Sequence, residues 1–240
     1  MKKNRKRSQE AQQEEQIPPL KLVDKNGKEL IAFPYQVVEN LRLMVSRLCR
    51  KAPLPERLAL LASLRQEGTT YISRALGLTM ANDLDTTVAI VELNWWWPSP
   101  LPVGESGKGL ANVLSGEISL EEVIVPTGNP RLSLIPSGQM PIEKRPVFAR
   151  SKALREVIAR LNERFDHLIL DLPAVLATND AIALAELGTV CCLVVRQGVT
   201  SIENVRLALD DLEDLPIAGV IMNQVKLATP AFLLKFIPQQ

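Results

Sequence analysis

The chain has 240 residues, 46% of them hydrophobic and 23% charged, which is the profile of a packed globular protein and excludes a fibrous or wholly disordered chain. Its 28 basic and 27 acidic residues leave a formal net charge of +1, so there is no general electrostatic pull toward nucleic acid, and no nucleic-acid partner is expected. One histidine, His167, gives no support to a multi-histidine metal centre or a Ser-His-Asp hydrolase.

Residues 1–33 read as a polar, largely disordered lead. Lys2, Lys3, Arg5, Lys6 and Arg7 crowd its start, the polar run Ser8 to Gln16 follows, and Asn26-Gly27 marks a turn. Residues 34–240 read as a single domain. Gln36 to Arg50 carries Val37, Val38, Leu41, Met44, Val45 and Leu48 at helical spacing. Beyond it, the apolar runs Leu58–Ala62, Thr87–Val91, His167–Leu170, Val190–Val195 and Ile217–Met222 suit strands buried on both faces of a parallel sheet. Between them, Ser151 precedes a helix face of Leu154, Val157, Ile158 and Leu161, while Thr200 and Glu203 have capping-box spacing. Such alternation predicts an α/β fold: three layers, a mostly parallel central sheet and helices on both faces.

No apolar run approaches the roughly 18–20 residues that span a bilayer, and the start lacks the apolar core of a signal peptide. Cys49, Cys191 and Cys192 lie in apolar contexts without metal-ligand spacing and read as buried thiols. The expectation is a cytoplasmic protein, with the basic head drawing it to the inner face of the plasma membrane.

Open parallel sheets bind ligands at the carboxyl ends of their strands. After the first run comes Ser63-Leu64-Arg65-Gln66-Glu67-Gly68-Thr69-Thr70-Tyr71, a strand, turn and helix start in the manner of a phosphate-binding loop. Gly68 and Thr70 occupy the last Gly and the Ser/Thr of that pattern, but Thr69 stands where its lysine belongs. Glu92 and Asn94 follow the second run, Asp171 the third, and Asn223 the last. The nucleotide-binding candidates are Glu67, Gly68, Thr69, Thr70, Tyr71 and Asn223. Thr70, Glu92 and Asp171 are the candidates for Mg²⁺, and Glu92 and Asp171 for catalysis.

Taken in order, Glu39-Asn40-Leu41-Arg42, Glu67-Gly68-Thr69-Thr70, Glu92-Leu93-Asn94 through Pro98, Gly109 to Gly116, Leu120 to Ile124, Leu132 to Gly138, Phe165 to Pro173 and Val194 to Thr200 resemble a family. The chain is similar to the bacterial tyrosine autokinases of capsule and exopolysaccharide synthesis (the CpsD/CapB type), within the deviant P-loop group that includes the MinD and ParA ATPases. The resemblance implies ATP and Mg²⁺ as cofactors, a membrane-embedded polysaccharide chain-length (co-polymerase) protein as partner, and a homo-oligomer. In the family a lysine contacts the β- and γ-phosphates and two aspartates follow the second strand; here those places hold Thr69, Glu92 and Asn94. Threonine cannot neutralise a transferring phosphoryl group, and losing one oriented donor costs on the order of 100- to 1,000-fold in rate. The family's C-terminal tyrosine cluster has no counterpart either, since the tyrosines are Tyr35 and Tyr71.

Glu39 and Arg42 match part of the family's oligomer motif, and Trp95-Trp96-Trp97 cannot all face one core. These five residues are the candidates for a partner interface. Gly104 to Gly109 contains Lys108 but no preceding strand, and reads as a connection from which Lys108 could reach the cleft. Three functions remain open: a catalytically degenerate regulatory or scaffolding relative of the autokinases, a working kinase or ATPase with an atypical loop, and a MinD/ParA-like positioning ATPase.

Overall fold

A computed structural model of the protein describes residues 17–51, 53–99 and 107–225. The basic head, residues 104–106 and residues 226–240 lie outside it. In chain order, a hairpin of β1 (Leu20–Val23) and β2 (Glu29–Phe33) leads into α1 (Tyr35–Lys51), β3 (Arg57–Ala62), α2 (Thr69–Asp83) and β4 (Val88–Glu92). Then come α3 (Leu110–Leu114), β5 (Val125–Pro126), β6 (Leu132–Ile135), α4 (Arg145–Ala149), α5 (Lys152–Arg164) and β7 (His167–Asp171). The order closes with α6 (Asp180–Ala185), β8 (Val190–Arg196), α7 (Ile202–Asp210) and β9 (Ile217–Asn223).

The seven-stranded sheet has the order β5-β6-β4-β7-β3-β8-β9. Every pairing is parallel except that of the short edge strand β5 with β6. Alternate side chains of β3 feed two cores. Ala59 and Leu61 pack on one face with α5, α6 and α7, and Leu58 and Leu60 pack on the other with α1 and α2. A strand buried on both faces leaves no polar alternation, which is why the apolar runs mark the inner strands. β9 departs from that expectation, because as the edge strand it leaves Val220 and Met222 exposed. α5 begins where its cap directs, with the Ser151 hydroxyl accepting the Leu154 N–H at 3.0 Å. α7 starts one residue later than its capping-box spacing predicts. Ser201 caps it, accepting from the Asn204 N–H at 3.2 Å, and Thr200 is free to serve the loop described below.

The structure corrects the reading of residues 1–33 as a disordered lead. Over 20–33 they form an antiparallel hairpin around the Asn26-Gly27 turn, with Leu22 and Phe33 buried in the core beneath α2. Asp24 fixes the turn, its Oδ1 accepting the Asn26 and Lys28 N–H groups at 2.8 and 2.9 Å. The hairpin also reaches the far edge of the sheet, where Gly128 N donates to the Val23 carbonyl at 3.0 Å. Leu22 and Phe33 are its buried residues, with Leu20, Leu30 and Ile31 packed partly against the same core, and a composition-based reading missed them. A second correction concerns Cys49, which is exposed on α1, whereas Cys191 and Cys192 are buried. Among the described residues, no helix is long and apolar enough to cross a membrane.

Candidate functional site: the cleft at the end of β3, β4 and β7

Parallel register brings the candidate residues together. Asp171, at the end of β7, is the register partner of Leu60 on β3 and of Glu92 on β4. From β3 the chain turns through residues 63–68 into α2. Gly68 caps that helix in the left-handed region at φ 95°, and a Cβ there would come within 2.1 Å of Asn223 Nδ2. Only glycine satisfies both demands. Glu67 is buried and organises the turn: its Oε2 accepts the Leu64 N–H at 3.0 Å, and its Oε1 accepts the Thr200 hydroxyl. Asn223 donates through Nδ2 to the Glu67 carbonyl at 2.8 Å. Glu67 and Asn223, both nucleotide candidates, thus direct these side-chain atoms to the loop itself.

Beside the loop is a cavity of about 260 Å³, lined by Arg65, Gly68, Thr69, Thr70, Asn94, Trp97 and Ser99 among others. The Arg65 guanidinium stands 4.2 Å from the centroid of the Trp97 ring, a cation–π contact beside the loop. Trp97 is positioned by Asn94, whose Oδ1 accepts its backbone N–H at 3.1 Å. Tyr71 points elsewhere, edge-on to Phe33 of the hairpin with ring centroids 5.1 Å apart, and its burial raises the phenol pKa. Lys108 does not line the cavity; its charge instead helps hold the Glu122 carboxyl below the usual carboxylate range, where the main cause is the Ser119 N–H.

The carboxylate side of the cleft is occupied from within. Arg74, one turn along α2 from Thr70 and 1% exposed, places Nη2 2.5 Å from Glu92 Oε1 and 3.2 Å from Ser99 Oγ. Asp171 is buried beside this pair. Desolvation, then the Glu92 charge, push its carboxyl up to about 7, against the relief given by the Thr70 hydroxyl and the Arg74 charge. Its Oδ1 has no hydrogen-bond partner. Among the described residues, no cluster of three or more His, Cys, Asp or Glu could hold a metal ion. Of the Mg²⁺ candidates, Glu92 is held by a guanidinium, while Thr70 and Asp171 stay beside the loop; Asn94 Oδ1 is engaged by the Trp97 N–H. Sequence reading missed Arg74. The available signal was a lone arginine between Ile72 and Ala75-Leu76 on an otherwise apolar helix, a placement that arginine takes only when paired.

The interface candidates separate. Trp95 is 1% exposed, and its Nε1 donates to the Ser137 carbonyl at 2.8 Å, which corrects its reading as an interface residue. Leu93 and Trp95 alternate into the core behind the sheet, so the first tryptophan is a packing residue. Trp96 packs half-buried on the same core. On α1, Arg42 holds Asp83 at the end of α2 with both its Nε (2.7 Å) and Nη2 (3.0 Å), and holds Glu39 through Nη1 at 2.5 Å. These contacts tie two helices of the same chain together.

Comparison with known proteins gives this geometry a context. The chain is 30% identical over 126 residues to the tyrosine-protein kinase ptk of Acinetobacter johnsonii, a match covering 52% of the chain and 17% of that protein. It is 27% identical over 161 residues to the tyrosine-protein kinase CpsD of Streptococcus agalactiae, covering 66% of the chain and 70% of CpsD. Among solved structures, the kinase domain of the Escherichia coli tyrosine kinase ETK superposes with a TM-score of 0.71 at 25% identity, over 81% of this chain and 78% of that one. The chain is a homologue of the bacterial tyrosine-protein kinases. The septum site-determining protein MinD of Pyrococcus horikoshii, complexed with Mg-ADP, shares the fold with a TM-score of 0.57 at 20% identity, covering 75% of this chain and 76% of MinD. No family model matches. This kinase homologue thus has the P-loop fold, with Thr69 at the first position of α2 and a guanidinium holding Glu92.

Proposed function

We propose that this kinase homologue is a catalytically degenerate relative of the polysaccharide-associated tyrosine kinases. It acts as a cytoplasmic regulatory or scaffolding partner in exopolysaccharide or capsule biosynthesis and export, and a membrane-embedded chain-length protein is its partner. The observation that carries this reading is Thr69 at the first position of α2, where the side chain cannot place a positive charge on a phosphate. The Arg65–Trp97 contact beside the same loop supports it. What remains is a backbone cradle, the N-terminus of α2 beside the Thr70 hydroxyl, which can accept an anion without driving phosphoryl transfer.

The test is to incubate the full chain with ATP and Mg²⁺ while following phosphotyrosine and ADP release. The expected result is no turnover. Turnover combined with low-micromolar nucleotide affinity would replace this reading with that of a working kinase or ATPase. One observation favours that second reading: Arg65 lines the cavity and is a cation within reach of the loop. If Arg65 does serve catalysis, Arg65→Ala abolishes the turnover.

A further inference from the structure

We infer that Arg74 is the resident cation of the cleft, its guanidinium holding the Glu92 carboxylate that a divalent metal would need, so that the site excludes Mg²⁺. This deepens the proposed function by assigning the cleft's charge chemistry, and it rests on that reading only for treating the loop as a phosphate cradle.

The argument begins with burial. Arg74 is 1% exposed and sits on a helix that is otherwise apolar over most of its length. A guanidinium keeps its proton in any protein environment, so the buried charge must be matched rather than neutralised. Glu92 matches it at 2.5 Å, and Ser99 Oγ lies 3.2 Å from the same nitrogen. Nε and Nη1 remain buried without a hydrogen-bond partner, as does Asp171 Oδ1, whose carboxyl feels the Arg74 charge. The cluster is therefore one fixed positive charge facing two carboxyl groups.

Magnesium requires near-octahedral oxygen ligands at about 2.0–2.1 Å. To bind here it would have to detach Glu92 from Arg74 and then sit beside a desolvated positive charge that cannot leave. Both steps oppose binding. The arrangement also differs from a simple loss of function, because Glu92 and Asp171 stay as carboxyl groups and Glu92 is given a different counter-charge. A phosphate ligand of the loop would be taken up without an accompanying metal.

Mn²⁺, a paramagnetic stand-in for Mg²⁺, can be titrated into the full chain without nucleotide and followed by electron paramagnetic resonance. The wild-type protein is expected to leave Mn²⁺ free up to millimolar concentration. Arg74→Asn, which frees Glu92 and removes the buried positive charge, is expected to bind it roughly 10- to 150-fold more tightly, the equivalent of one charge-assisted contact. Should that variant fail to fold, Arg74→Gln keeps most of the side-chain length and gives the same readout. Micromolar Mn²⁺ binding by the wild type would overturn the inference, and so would folded neutral variants that bind no more tightly than wild type. Neither result depends on phosphotransfer, so failure here leaves the proposed function to its own test.

Discussion

The loop wall of the cleft, residues 63–70, is shaped by backbone, with Gly68 in the left-handed region and Asn223 hydrogen-bonded to the Glu67 carbonyl. The facing wall depends on charge, and there a buried guanidinium holds Glu92, whose charge in turn helps raise the pKa of the buried Asp171 carboxyl. Measured against the pattern that the resemblance to the autokinases implies, the first wall has lost one side chain, the lysine. The second has lost one carboxylate, with Asn94 in its place, and holds a guanidinium as counter-charge to Glu92. A backbone cradle follows from the strand–turn–helix course of the chain, so it persists as long as the fold does. A charge cluster depends on individual side chains and can be rebuilt by a few substitutions. Divergence in such a cleft is therefore expected on the charged wall first.

The sharpest way to break this comparison is to remove the guanidinium. Arg74→Ala leaves Glu92 buried against nothing, and breaking a buried pair from one side costs about 3–5 kcal/mol. Urea unfolding should show that loss, and a change below about 1 kcal/mol, the range of exposed pairs, would mean that water already compensates the pair. The same wall sets a pH dependence. Asp171 titrates near 7 in the folded chain against 3.8 as its ordinary value, so the folded state holds this proton more tightly than the unfolded state. Its contribution to stability therefore falls as pH rises from about 4 to about 7 and is flat beyond. Asp171→Asn should remove that slope, as read from urea midpoints across the window.

On the loop wall, Thr69→Lys restores the missing cation. One charge-assisted contact contributes about 1.5–3 kcal/mol, equivalent to roughly 10- to 150-fold in ATP affinity. Calorimetric titration should record the gain in the metal-free protein. If none appears, the backbone is not a working cradle and the contrast between the two walls disappears.

How far the sequence foretold this molecule depended on how local each signal was. The five apolar runs became β3, β4, β7, β8 and β9; in the first four, burial on both faces writes itself directly into composition, whereas the edge strand β9 leaves Val220 and Met222 exposed. The hairpin carried a signal too, Asn26-Gly27 between two short apolar stretches, but its core contacts are with α2 and the β5–β6 turn, far away in sequence. At the cleft, the order of Gly68, Glu92 and Asp171 at strand ends was legible because parallel register aligns them. The Arg74–Glu92 pair spans 18 positions and the Thr200–Glu67 bond 133, and no pattern of spacing announces either. Trp95 and Trp97, two residues apart, went to the core and to the loop because the Asn94 side chain holds the Trp97 N–H and bends the chain across the tryptophans.

The smallest expected effect concerns how the loop wall is held. Asn223→Ala removes one hydrogen bond to the Glu67 carbonyl, about 0.5–1.5 kcal/mol. Gly68→Ala should cost more, about 1–3 kcal/mol, because its φ of 95° is strained for alanine and its Cβ would meet the Asn223 amide. The two losses should not add. With Asn223 truncated, the steric part of the Gly68→Ala penalty disappears and only the backbone strain remains, so the double variant should be more stable than the sum of the singles predicts. A double-mutant cycle in urea reads the difference. Strict additivity would mean that the loop moves away from β9 when either residue changes, and the loop wall would then be as adaptable as the charged one.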